Sequence, residues 1–323
     1  MGVGKREKLM PLKLEYSVAK KLNVGDDLNP WLWPKLLGDI LGESDECYFL
    51  GIGTILTKDR INNQLKNAKE IVIFSSGTWG QDSCPVLTEN CKVYGVRGPR
   101  TARYLGLDDS FIIGDGAYLL TQVDYPKAEK IEGRVGFIPH HKSEDYLDWK
   151  PICESIGLEF ISTRQPVEDF LIAIQQCESV ISEAMHGAII SDALRIPWKA
   201  VSYSPLFDHE KWCDFSESMN INLEIYSLPF LTNKKFTFSK NISNFFKRNI
   251  NKIFTINDKW NKNPILWNAN TSYDLKLLTS DIVKIKNSNL WTLSYDVEID
   301  RVINNQVEML NKMLSDFRGG GYE

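Results

Sequence analysis

Several clusters in this chain have the residue types and spacing to handle a small anionic substrate. Glu183-Ala184-Met185-His186-Gly187 places one of only four histidines at a turn between an apolar run and a helix-like stretch. A helix start offers unpaired backbone N–H groups and the positive end of the macrodipole, so a phosphate can sit beside the imidazole. Read alone, His186 is equally a satisfied histidine at a cap; only its partners decide. Asp26 and Asp27 are adjacent on a turn, which lets one carboxyl serve a substrate as acid or base while the other caps a helix. Capping is the simpler role for Asp27, with Asn29 as the other cap candidate and Gly25 supplying the turn. Arg97 and Arg100 flank Gly98-Pro99 at another predicted helix start, and guanidinium forks fit carboxylates and phosphates bidentately. Arg97, at the strand end, is the stronger candidate. Arg100, one residue into the helix, reads equally as solvated.

Further candidates end other apolar runs. His140, His141 and Lys142 follow Gly136-Phe137-Ile138-Pro139. Neighbours on an extended strand point oppositely, which leaves one histidine at a site and one in the structure. Asp115 and Glu183 are placed to orient an imidazole or bind sugar hydroxyls. Gly51 and Gly53 permit close backbone approach, weak evidence by itself. Trp31, Trp33 and Trp79 lie near motif ends, where an indole serves either as a sugar platform or as packing.

The elements that must position these groups alternate. Strand-like runs near Leu12–Tyr16, Tyr48–Leu50, Ile71–Phe74, Val93–Val96 and Phe111–Ile113 come with helix-like stretches between them, and a second set follows at Val135–Ile138, Leu158–Ile161, Ser179–Ser182 and Lys199–Tyr203. Such alternation predicts mainly parallel α/β sheets with candidates at the carboxyl ends of strands. The polar interval from Asp124 to Gly133 separates the sets, which divides the chain into 1–128, 129–295 carrying His186, and a terminal helix in 296–323. The site is then expected in a cleft between two domains. That last helix, from Val297 to Phe317, repeats Ile299, Ile303, Leu310, Leu314 and Phe317 along one face.

Taken together, Asn23-Val24-Gly25-Asp26-Asp27-Leu28-Asn29, Gly51-Ile52-Gly53-Thr54, Val96-Arg97-Gly98-Pro99-Arg100-Thr101, Gly114-Asp115 and Met185-His186-Gly187 resemble the polysaccharide pyruvyl transferase family, in particular the ketal-pyruvate transferases of bacterial exopolysaccharide synthesis. The resemblance runs from Asn23 to Val201. It implies two Rossmann-like domains facing a cleft, as in the B-type glycosyltransferase fold, with phosphoenolpyruvate as donor and a sugar or lipid-linked oligosaccharide as acceptor. Ketal formation adds two sugar hydroxyls to C2 of the donor and expels phosphate. It calls for an acid at C3, a base for the hydroxyl proton and cations for two anionic groups. His186 and Asp26 are the candidate catalytic groups. No metal or cofactor is required. Many members carry Arg two residues before the histidine, where this chain has Ala184, so another residue must take that place or the donor must sit differently.

Composition narrows the alternatives. A chain of 323 residues, 43% apolar, is long enough for two α/β domains. Net charge −4 and an isoelectric point near 5.7 argue against wholesale nucleic-acid binding. Six cysteines in no C-x-x-C pair point to free thiols in a reducing cytosol, and no apolar run approaches the ~20 residues of a membrane span. A cytoplasmic protein follows, with one qualification. From Leu231 to Asn263 there are eight Lys or Arg against the single acid Asp258, interleaved with aromatic and aliphatic residues. Phe246, Ile250 and Ile253 share a helical face that suits either a docked helix with a solvated basic side or a peripheral contact with the membrane surface. Two other functions compete: a B-type glycosyltransferase using a nucleotide-sugar donor, and a catalytically silent subunit of a polysaccharide assembly complex.

Overall fold

The computed structural model describes residues 11–234, 237–254, 265 and 272–318, with the side chains of the helix ending at 254 described to 251. The first sheet has the order β1 (Lys13–Glu15), β2 (Cys47–Leu50), β3 (Glu70–Ser76) and β4 (Cys91–Val96), every pairing parallel. β3 shows why: Ile71-Val72-Ile73-Phe74 is an unbroken apolar run suited to a strand covered on both faces, and all four side chains are buried. The second sheet has the order β6 (Glu159–Phe160), β5 (Val135–Ile138), β7 (Ser179–Ser182), β8 (Trp198–Ser202) and β9 (Ile225–Ser227), again parallel. From β5 the chain moves to one side for β6 and to the other for β7. The order therefore reverses between β5 and β7, where loops diverge and open α/β sheets bind ligands. Ile138 pairs with Ser182 there, so His140-His141 and Glu183 to His186 leave the sheet side by side.

Around these sheets lie α1 (Val24–Leu37), α2 (Pro99–Leu105), α3 (Trp149–Ser155), α4 (Val167–Gln175), α5 (Met185–Ala193) and α6 (His209–Ser218), followed by α7 (Phe238–Phe254), α8 (Ser272–Asn287) and α9 (Asp296–Arg318). α9 sets Val302 against Gly114, donates from Gln306 to the Asp115 carbonyl and joins Asp316 to the Tyr94 hydroxyl, so it packs across β4 and the turn beyond it. Its buried seam is Ile299, Val302, Gln306, Leu310, Met313 and Phe317, with Ile303 and Leu314 at the edge.

Several sequence expectations change. Phe111–Ile113 is no strand. Asp108 caps a short 3-10 turn at Asp109–Phe111, only Ile112 bridges to Val96, and Gly114 at φ +83° turns the chain away at once. β9 was not anticipated. α1 starts earlier than expected, with Asn23 in the cap position and Gly25, Asp27 and Asn29 inside the helix. Asp27 still serves that end, its carboxylate accepting the Asn23 N–H at 2.8 Å. Pro30 lacks the N–H that would bond the Asp26 carbonyl, and the Asn29 amide donates there instead at 3.0 Å. Trp33 is core rather than a sugar platform: it is fully buried edge-on to Phe49 and Phe74, in the space left by Gly51.

α7 departs most. Asn241, Asn244 and Asn251 are 2, 5 and 2% exposed, while Phe246 and Ile250 are 58 and 39% exposed, so the helix turns amides inward and hydrocarbon outward. The expected docking of Phe246 and Ile250 is thereby reversed, while Lys240 and Lys247 stay exposed. Phe236 and 255–263, with Asp258, lie outside the described residues, as does the Ile253 side chain. Among the described residues no helix is long and apolar enough to cross a membrane.

Candidate active site

His186, the second residue of α5, links the two sheets. A Cβ added to Gly25 would overlap its Nδ1, so the imidazole lies against the bare first turn of α1. Its Nε2 is 3.7 Å from Asp115 Oδ2, an ion-pair distance longer than a hydrogen bond. Both atoms are buried, and neither has a hydrogen-bond partner among the described residues. Asp115 is otherwise fixed, its Oδ1 accepting the Ala117 N–H at 3.0 Å and its carbonyl accepting Gln306 at 2.8 Å. Burial favours its neutral form, but His186, Arg97 and the Ala117 N–H outweigh burial and hold the carboxyl below the ordinary carboxylate range.

Asp26 shifts the other way. Burial raises its carboxyl above the ordinary value even though the Asn23 amide, bound at 2.6 Å, and the charges of His186 and Lys211 favour the anion. Two carboxyls near one imidazole are thus pushed apart, the pattern that separates acid from base.

Other predicted residues are committed to the protein itself. Asn29 is fully buried, donating to the carbonyls of Asp26 and Ile52 and accepting from Trp33 Nε1 and the Ile52 N–H, which ties α1 to the turn after β2. Gly51 makes room for Trp33, and Gly53, at φ +124°, makes the turn. Glu183 accepts from the His140 N–H, the Ser143 hydroxyl and the Ser204 N–H; burial raises its carboxyl against those three donors. Arg97 is buried, with Nε on Asp214 at 2.9 Å and Nη1 on Thr54 at 3.0 Å, in the space left by Gly77; its Nη2 is buried without a partner. Asp214 also accepts the Thr101 N–H and hydroxyl, so the anion at the start of α2 comes from α6. Arg100 reaches the same helix at the surface, pairing with Glu210 and Glu217.

The two histidines do not point oppositely. β5 ends at Ile138, so both lie in the turn beyond the pleat and their ring centroids are 4.2 Å apart. Burial, with Lys142, Lys211 and Arg164 adding, pushes His141 down to about 4 and His140 well below its ordinary value, so both are neutral near pH 7. Lys142 is exposed.

Lys211 was missed by sequence reasoning. It lies one turn before Asp214 on the same face of α6, half-buried, and among the described residues its ammonium makes no hydrogen bond or ion pair; the Trp79 ring centroid is 5.8 Å away. Burial lowers it to about 8, with Arg97 and Lys142 acting in the same sense against Asp208 and Asp26. The available signal was Asp208, whose side chain caps α6. Arg164, bound to Asp145 at 2.9 Å, was missed as well. A surface cavity of about 490 Å³ is lined in part by Asp145 but by neither His186 nor Asp26. Among the described residues no group of three His, Cys, Asp or Glu could hold a metal ion.

Comparison with known proteins bears on this geometry. A solved structure of an uncharacterized protein from Klebsiella pneumoniae aligns over 68% of this chain and 93% of its own at 14% identity, with a TM-score of 0.34. The succinoglycan biosynthesis protein ExoV of Rhizobium meliloti is 32% identical over 224 residues, which are 68% of this chain and 69% of that protein. The family model described as polysaccharide pyruvyl transferase matches residues 60–205, a span that includes Arg97, Asp115, the His140-His141 pair and His186 and leaves Asp26 and Lys211 outside. With a relative this similar over most of both chains, and with the matched span holding the histidine that joins the sheets, the chain belongs to the polysaccharide pyruvyl transferase family.

Proposed function

We propose that this chain transfers pyruvate from phosphoenolpyruvate to two hydroxyls of one sugar in an exopolysaccharide or its lipid-linked precursor, closing a ketal. In this reading the donor binds between the two sheets, arranged as in B-type glycosyltransferases. The observation that carries it is the placement of His186, with its ring against Gly25 of α1 and its Nε2 3.7 Å from the buried Asp115 Oδ2, together with a division of labour between two carboxyls: burial shifts Asp26 toward its protonated form, while His186 and Arg97 shift Asp115 toward the anion.

Ketal formation needs that division. Asp26 gives its proton to C3 of the donor, turning the methylene into a methyl group and making C2 electrophilic. The first sugar hydroxyl bonds to C2 as its proton passes to His186, whose imidazolium Asp115 stabilises. The second hydroxyl then forms its bond to C2 as the C2–O bond to phosphate breaks. Its proton restores Asp26, while the proton on His186 leaves with the phosphate. Two hydroxyl protons are removed and two are delivered, so both groups return to their starting states.

Lys211 takes the place left by Ala184. The residue is half-buried, lies in the field of Asp26 and Arg97, and among the described residues has no anion in hydrogen-bond contact with its ammonium, so in this reading the donor supplies that partner. Arg97, held on Asp214, adds a fixed charge behind it.

The test is incubation with phosphoenolpyruvate and a panel of oligosaccharide acceptors, following phosphate release and the mass increment of a pyruvate ketal. Release accompanied by the increment supports the reading. Protection from thermal unfolding by nucleotide sugars but not by phosphoenolpyruvate would assign a glycosyltransferase instead. Donor binding without turnover on any acceptor would assign a silent subunit.

A further inference from the structure

We infer that the outward face of α7 is a docking surface for an anionic lipid bilayer. A helix on a globular protein ordinarily turns its apolar stripe to the core and its polar side to water. α7 does the opposite. At 100° per residue, Asn241, Asn244 and Asn251 fall on one side with the half-buried Arg248, and that side is the buried one. Phe246 and Ile250 fall opposite, with Phe245 and Phe238 along the border at 51 and 71% exposed. The Phe245 and Phe246 rings lie 6.0 Å apart, which makes one continuous aromatic patch of that border.

Charge selects the occupant. α7 contains Lys240, Lys247, Arg248 and Lys252 and no acid, and the interval from Leu231 to Asn263 carries eight basic residues against one acid in a chain of net charge −4. A positive aromatic ridge on an otherwise acidic protein is drawn to anionic headgroups while the body of the molecule is repelled. Helices of this make-up lie in the plane of the interface with their apolar side among the headgroups and upper acyl chains. A protein partner would have to be both acidic and apolar over the same patch; a bilayer containing anionic lipid is both by composition. The inference stands apart from the proposed reaction, since transfer to a water-soluble acceptor would persist whichever way the test comes out.

The test is flotation of the full chain with vesicles of phosphatidylcholine alone or mixed with phosphatidylglycerol, at low and high salt. The wild type is expected to float with the mixed vesicles at low salt, to be released at high salt and to ignore neutral vesicles. Phe245→Ser with Phe246→Ser, and separately Lys240→Glu with Lys247→Glu, both lysines being exposed, should each lower the bound fraction at least about tenfold without changing the melting temperature. A wild type that stays in solution overturns the inference, as do variants that float like the wild type. A lower melting temperature in the serine variant would show those rings to be internal packing and would overturn it too. So would a wild-type dimer that becomes monomeric in the serine variant without vesicle binding, since a second copy would then cover the face.

Discussion

Two sets of polar residues meet around α1, α5 and α6, and they differ in whether their bonds are complete. Asn29, Glu183 and Asp214 form the first set. The Asn29 amide makes four hydrogen bonds, Glu183 accepts three, and Asp214 accepts from Arg97 and twice from Thr101. The second set is His186 Nε2, Asp115 Oδ2 and Arg97 Nη2, buried and without hydrogen-bond partners among the described residues, together with Asp26 and the Lys211 ammonium. Proteins rarely leave buried polar atoms unbonded, so a concentration of them marks where something else is meant to bind. The comparison of Glu183 with Asp26 makes the point within one residue class. Burial raises both carboxyls, but Glu183 has three donors holding it in place and Asp26 has one amide.

The severest attempt to break this distinction is His186→Ala. If His186 belongs to the incomplete set because it carries proton transfer, pyruvyl transfer should fall by ~10²–10⁴ while the melting temperature stays close to the wild type. Activity within a few fold would end the assignment. Gly25→Ala sharpens the same test from the other side: a methyl group there would overlap the imidazole, so activity should fall with His186 still present.

Asp26→Asn and Asn29→Ala separate neighbours on one helix. The first should lower turnover by on the order of 10² and leave folding intact. The second removes an amide that four buried groups depend on, and each orphaned group costs about 1–3 kcal/mol, so a loss of roughly 3 kcal/mol or more is expected in denaturant unfolding. Activity per folded molecule should stay near the wild type. Reversed outcomes would show that the completeness of hydrogen bonding does not sort framework from chemistry here.

Lys211→Met should raise the KM for phosphoenolpyruvate by on the order of tenfold with a smaller effect on kcat if, as proposed, it removes one charged contact to the donor. The proposed contact also predicts a pH signature in the wild type. Lys211 loses its proton near pH 8, so donor affinity should fall as pH rises through about 8, and Lys211→Arg should move that limb higher. Stability runs the other way. The folded value lies below the 10.5 of free lysine, so the charged side chain opposes folding below about pH 8, and this opposition fades between pH 8 and 10.5. Lys211→Met should therefore unfold at higher denaturant than the wild type at pH 7. Unchanged donor binding in that variant would remove Lys211 from the site.

Much of this was legible in the sequence because strand ends are. Unbroken apolar runs such as Ile71 to Phe74 announce buried parallel strands, and the residues that follow such runs sit at the carboxyl edge whatever their role. His186, Arg97, Asp115 and the His140-His141 pair were placed at that edge in this way. Whether a polar side chain faces a substrate or its own backbone is not carried by its type, which is why the internal hydrogen bonds of Asn29 and Glu183 could not be read from the sequence. Lys211 and Asp214 were invisible for a different reason. Asp214 meets Arg97 from more than a hundred residues along the chain, and Lys211 stands one turn before it, on a helix without a motif. In α7 the period identifies which residues share a face but not which way the face points. The exposed Phe246 and buried Asn244 are a fact of packing that no local pattern encodes.

The smallest expected effect completes the comparison, because Arg97 and Arg100 stand three residues apart, bond to the same helix and should behave differently. Arg97 is sealed against Asp214, and removing one partner of a buried pair leaves an uncompensated charge. Arg100 joins Glu210 and Glu217 at the surface, where such pairs contribute ~0–1 kcal/mol because water and salt screen them. Arg100→Ala should thus shift unfolding by less than about 1 kcal/mol and leave the KM for phosphoenolpyruvate unchanged, the small stability loss vanishing at high salt. Titration calorimetry with the donor decides the matter. A weaker affinity in Arg100→Ala would mean that the arginine leaves its glutamates when phosphoenolpyruvate arrives, and residues with apparently complete bonds would then have to be counted among those that bind it.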